Sequence, residues 1–118
     1  EVSGDTSITG DVNITGGLEV SGDTSITGAV RYTPKVVTAS SGTLPIDAAV
    51  LHLTISGNNT YKLPDGDEGQ ILKIKVTGSS PASATIRDAT DSKTIVILSY
   101  NDSYVDLLYL DGNWILND

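Results

Sequence analysis

Two superimposed periods in the first thirty residues constrain this chain more than any other feature. Gly4, Gly10, Gly16, Gly22 and Gly28 stand six apart, and Val2, Ile8, Ile14, Val20 and Ile26 each lie two residues ahead of one of them. The remaining even-numbered slot holds Thr6, Val12, Leu18, Thr24 and Val30. A longer period of 18 overlies this one, because residues 1–10, EVSGDTSITG, recur unchanged as residues 19–28. Odd-numbered positions are polar except Gly17 and Ala29. Alternation sustained over thirty residues has the period of extended β backbone, with one apolar and one polar face, and excludes a helix of period 3.6.

A lone strand of this kind cannot satisfy itself. Its apolar face has nothing to cover it, and its N–H and C=O groups have no ladder partners. Two solutions exist. A single-chain β-helix would use six residues per side and 18 per coil, so thirty residues make fewer than two coils, short of the roughly three repeats such a stack needs. Identical copies wound about one axis would instead supply one another's ladders and bury the apolar positions centrally. The pattern therefore predicts an intertwined homotrimeric β-helical stem over residues 1–30, with Val2, Ile8, Val12, Ile14, Leu18, Val20, Ile26 and Val30 as its core. A longer single-chain β-helix, of which this is a short stretch, is the alternative. The glycines fall where side chains have no room, at the axis or at corners. Residues 1–30 carry five acids (Glu1, Asp5, Asp11, Glu19, Asp23) and no base, all on the polar face.

The period of six stops at Arg31. Residues 31–41, which contain Pro34, read as a junction, and residues 42–118 as a head domain. Residues 31–118 hold ten acids and seven bases. Short β-branched and aliphatic runs at 36–39, 48–56, 60–63, 70–77, 83–87, 93–100, 104–110 and 114–117 alternate with turn signals, among them Ser41-Gly42, Gly57-Asn58-Asn59 and Gly78-Ser79-Ser80-Pro81. That spacing predicts a small antiparallel, jelly-roll-like β-sandwich. Asp111-Gly112 predicts a tight hairpin joining the last two strands. Runs such as Thr94-Ile95-Val96-Ile97-Leu98 and Val105-Asp106-Leu107-Leu108-Tyr109-Leu110 are apolar on both faces, which would leave one face wet in an isolated domain. This is a second hint of association.

Composition narrows the function. The formal net charge is −8, from 7 Lys+Arg against 15 Asp+Glu, so the surface repels phosphates and argues against a nucleic-acid partner. No apolar run approaches the roughly 18–20 residues that cross a bilayer as a helix, so membrane insertion is not expected. Cysteine is absent, which removes disulfides, thiol nucleophiles and Cys-ligated zinc. The chain opens inside its own repeat, without an initiator Met or signal peptide, and reads as a piece of a longer protein.

The stretch SGDTSITGDVNITGGLEVSGDTSITG resembles the glycine-punctuated shaft repeats of tail fibres and spikes from bacteriophages and large DNA viruses. Leu63-Pro64-Asp65-Gly66 followed by Glu68-Gly69-Gln70-Ile71-Leu72-Lys73-Ile74-Lys75, with a closing Asp111-Gly112-Asn113-Trp114, is similar to the small β-rich domains that end such fibres. The resemblance implies a homotrimeric virion fibre or spike, extracellular when it acts, whose head attaches to a host glycan or protein or serves to nucleate trimerisation. A carbohydrate-binding or trimerisation module of a bacterial adhesin is the alternative.

Chemistry is sparse. His52 is the only histidine, lies in an alternating strand and lacks a Gly-x-Ser-x-Gly elbow to pair with. Three copies meeting on an axis would make it a weak candidate for a metal site. Asp65, Asp67 and Glu68 share one turn beside glycines, where Asp favours turn formation. Their spacing does not match an EF-hand. No enzyme activity and no cofactor are expected. Receptor contact, if the head makes one, is expected at Tyr100, Asn101, Asp102 and Tyr104, where two tyrosines flank a polar turn. Trp114 with Asp111 and Asn113 is read as packing.

Overall fold

A computed structural model describes residues 2–100 and 103–117. The chain divides into two compact units, Glu1–Val30 and Arg31–Asp118. Among the described residues there is no helix, and the protein is all-β.

Among the described residues of the repeat unit there is no hydrogen-bonded ladder. The chain bends at Gly4, at Gly10, at Thr15-Gly16, at Gly22 and at Gly28, in step with the six-residue period. Gly4, Gly10 and Gly28 take positive φ (86°, 110° and 118°), which L side chains rarely adopt, so glycine is the corner residue there.

The second unit is one seven-stranded sheet. Its strands are β1 (Lys35–Val37), β2 (Ser41–Thr43), β3 (Val50–Lys62), β4 (Ile71–Arg87), β5 (Thr94–Ser99), β6 (Tyr104–Leu110) and β7 (Asn113–Asn117). β1 and β2 both pair in parallel with β3, and β3 pairs in parallel with β4 along its whole length. Antiparallel pairing is confined to β4–β5, β4–β6 and β6–β7. The sheet is thus mixed, which corrects the expectation of an antiparallel head. The segment read as a junction supplies β1.

The physical reason lies in β3 and β4. Turn signals at Gly57-Asn58-Asn59 and Gly78-Ser79-Ser80-Pro81 do not end strands; they sit inside strands of 13 and 17 residues. The ladder shifts between Ser56 and Gly57, where Ser56 pairs Ser79 but Gly57 pairs Ala82, leaving Ser80 and Pro81 unmatched. An insertion of two preserves which side chains face inward, whereas a one-residue slip would reverse them. Leu51, Leu53 and Ile55 before the break, and Asn59 and Tyr61 after it, therefore share the buried side. The break also closes the topology. A straight 13-residue strand spans about 43 Å, but the eight residues between β3 and β4 reach only about 30 Å. A parallel neighbour so soon after β3 requires the ladder to bend.

The break divides the sheet into two wings sharing β3 and β4. One holds β1, β6 and β7, and the other β2 and β5. Inward side chains of both enter one core that includes Leu44, Leu51, Leu63, Leu72, Ile86 and Leu107, and β5 approaches β7. At the bend Gly78 lies directly against the Ile55 backbone carbonyl, too close for any Cβ. The predicted hairpin forms as expected. Asp111 (φ 53°) and Gly112 (φ 79°) are both left-handed, the requirement of the tightest hairpin turn, and β6 pairs antiparallel with β7.

Candidate functional site

In the repeat unit, the positions assigned to the trimer core all stand open. Val2, Ile8, Val12, Ile14, Leu18, Val20, Ile26 and Val30 are 49–76% exposed. Scattered apolar residues on a surface are ordinary. Eight on one alternating register, with unladdered backbone between them, are more than scatter.

In the sheet unit, residues of the stretches 63–75 and 111–114 converge on one structural knot. Trp114 Nε1 donates to the Pro64 carbonyl at 2.8 Å, and its ring crosses Tyr109 edge-on with centroids 5.1 Å apart. A Cβ on Gly66 would meet Trp114 Cζ2 at 2.7 Å, so glycine is what lets the turn lie on the indole. Gln70 Oε1 accepts from the Asp67 N–H, and its Nε2 donates to the Ile46 carbonyl. Glu68 accepts the Asp111 N–H with both oxygens, at 3.0 and 3.1 Å. The motif locks the β3–β4 connection onto the β6–β7 hairpin. Asp65, Asp67 and Glu68 thus serve a turn, and among the described residues no three His, Asp or Glu side chains gather to hold a metal ion.

Of the residues expected to touch a receptor, the structure describes Tyr100 and Tyr104. Tyr100 is half-buried against the core, with its N–H donating to the Ala82 carbonyl. Tyr104 points outward on β6, and its hydroxyl donates to Asp106 and accepts from Lys73. Asn101 and Asp102 lie outside the described residues. His52 is half-buried on the outer side of β3, its Nε2 2.9 Å from Thr77 Oγ1, and is paired across the ladder with Lys75, a cation that disfavours a metal beside it.

Two surface features escaped the sequence reading. Lys73, Tyr104 and Asp106 form a closed cluster, with Lys73 Nζ 3.0 Å from Asp106 Oδ1. Hydrogen bonds from Tyr104 and then Lys73 hold the Asp106 carboxyl below its ordinary value, and Asp106 with Tyr104 raises Lys73. Beside it Ile71, Leu108 and Ile115 pair directly across β4, β6 and β7 into an apolar rung, lining a groove of about 380 Å³. The signal for both was the alternation itself, but it became usable only once the register placed these residues side by side. A smaller cleft of about 190 Å³ lies between Asp65, Asp88, Lys93, Tyr109 and Asn113. Its polar groups are already engaged: Asp88 accepts from Ser92 and Thr90, and Lys93 donates to Asn113. Burial, then the charges of Asp65 and Glu68, pushes the Tyr109 hydroxyl up.

Comparison with protein-family models, curated proteins and solved structures finds no match to this chain.

Proposed function

We propose that this chain is a segment of a homotrimeric viral fibre or spike, with residues 1–30 as a stem in which three copies wind together and residues 31–118 as the head it carries, acting in host attachment. One observation carries the reading: the chain bends every six residues at glycine, and eight apolar side chains of one register lie open between the bends. Sister copies placed against that register complete both the ladders and the core. The role is mechanical and multivalent rather than catalytic. A stiff stem holds three equal heads, so weak contacts to a host glycan or protein add through effective concentration.

The test is binding of the labelled full chain to a panel of microbial and eukaryotic cell surfaces, beside a variant carrying Ile8→Asp and Ile14→Asp. The proposal expects retention on at least one surface and a loss of tenfold or more when the stem is disrupted. Equal retention by both proteins, or retention on no surface, would contradict attachment through a trimer.

A further inference from the structure

The 7 lysines and arginines of the chain fall into two kinds. Most have their backbone held by the sheet. Lys35 lies in β1, Lys62 closes β3, Lys73 and Lys75 lie in β4, and Arg87 closes β4. The Lys62 carbonyl accepts the Leu44 N–H and the Arg87 carbonyl the Leu63 N–H. In the turn before β5, the Lys93 carbonyl accepts the Asp88 N–H. Arg31 is the exception. Residues 31–34 belong to no strand, are exposed throughout, and make no hydrogen bond or ion pair among the described residues. Residues 1–30 contain no lysine or arginine.

We infer that the Arg31–Tyr32 peptide bond is a release site, at which an arginine-specific endopeptidase severs the repeat from an intact sheet unit. Such an enzyme draws extended backbone into its cleft, which a hydrogen-bonded strand resists and a free segment does not. A carboxylate in its specificity pocket takes the guanidinium. Arg31 offers an unpaired one, whereas Arg87 is already held by Asp91. Proline directly after the arginine would block the cut; Tyr32 stands there, and Pro34 comes only after Thr33. Water is the second reactant. Its hydroxyl joins the Arg31 carbonyl carbon, the C–N bond breaks, and the Tyr32 nitrogen leaves with the proton as an amine. Because β1 begins at Lys35, the cut leaves every strand whole. The consequence rests on the attachment reading above: heads no longer joined by the stem lose the gain from effective concentration, so one bond per chain turns firm attachment into weak attachment.

The test is limited digestion of the full chain with trypsin at neutral pH, followed by intact mass spectrometry, beside an Arg31→Gln variant. Trypsin accepts lysine as well as arginine, so every other base competes in the same tube. The inference expects residues 32–118 as the first product, still unfolding cooperatively by Trp114 fluorescence. In the variant the first cut should slow at least about tenfold. A first cut after Lys93 or any other base, a product without the cooperative transition, or equal rates for parent and variant overturns the inference. The sedimentation mass of the uncut chain separates the two readings: a monomer cut first at Arg31 contradicts trimeric attachment and leaves the cleavage site standing.

Discussion

Residues 2–30 and residues 31–118 meet the demands of extended backbone in opposite ways. The sheet unit pairs its strands internally, hides Leu51, Leu53, Leu72 and Ile74 completely, and among the described residues leaves no buried side-chain polar atom without a hydrogen bond. The described residues of the repeat unit form no strand pairing among themselves and keep the apolar register open. Glycine marks the same contrast. At Gly10 nothing lies within 4 Å of a would-be Cβ, and the residue is needed for its φ of 110° alone. At Gly78 the φ is ordinary and the residue is needed because the Ile55 carbonyl occupies the space a side chain would take. The corners of the repeat unit stand in open space, whereas the single contact glycine meets its neighbour within the chain.

Substitutions can break this contrast, and the largest effect is expected in the repeat unit. Ile8→Asp with Ile14→Asp should abolish the proposed trimer outright, seen as a fall in sedimentation mass, while the cooperative denaturant transition followed by Trp114 fluorescence persists. Loss of that transition would show that the sheet unit depends on the repeat. Gly78→Ala should do the reverse, lowering sheet-unit stability by about 2–3 kcal/mol through overpacking against Ile55. Trp114→Phe removes the donor to the Pro64 carbonyl and part of a packed ring, at a cost of about 2 kcal/mol by urea unfolding. Gly10→Ala should cost about 1 kcal/mol per chain through backbone strain alone, lowering the melting point of the proposed trimer and not that of the sheet unit.

The smallest effect concerns acid. Hydrogen bonds from the Ser92 hydroxyl, then the Ser92 N–H, hold the Asp88 carboxyl below its ordinary value near 3.8. The unfolded chain therefore takes up this proton first. The stabilisation is complete above the unfolded value and is lost as pH falls through the folded one. Asp88→Asn should flatten the decline in stability below about pH 4, measured by urea unfolding at a series of pH values. An unchanged slope would show that the turn does not depend on the charge.

Legibility in the sequence followed the range of the interactions. β6 and β7 emerged within a residue of their bounds because Asp111-Gly112 dictates its own backbone and the flanking strands pair locally. β3 and β4 did not, because Gly57 and Ser80-Pro81 carry turn chemistry while tertiary pairing carries the ladder straight past them. No local pattern reveals that Val50 pairs Lys73 in parallel. The roles of Trp114 as an anchor and of Asp65, Asp67 and Glu68 as turn residues were readable from composition around them. The Lys73–Tyr104–Asp106 cluster was not, since it joins positions about thirty residues apart.

The most direct test of the central claim is the mass of the intact chain by sedimentation equilibrium in dilute neutral buffer. The account predicts about 37 kDa, three times the 12.3 kDa of one chain. A single species of 12.3 kDa with residues 1–30 protected from proteolysis would contradict it, because the repeat would then be ordered without sister copies.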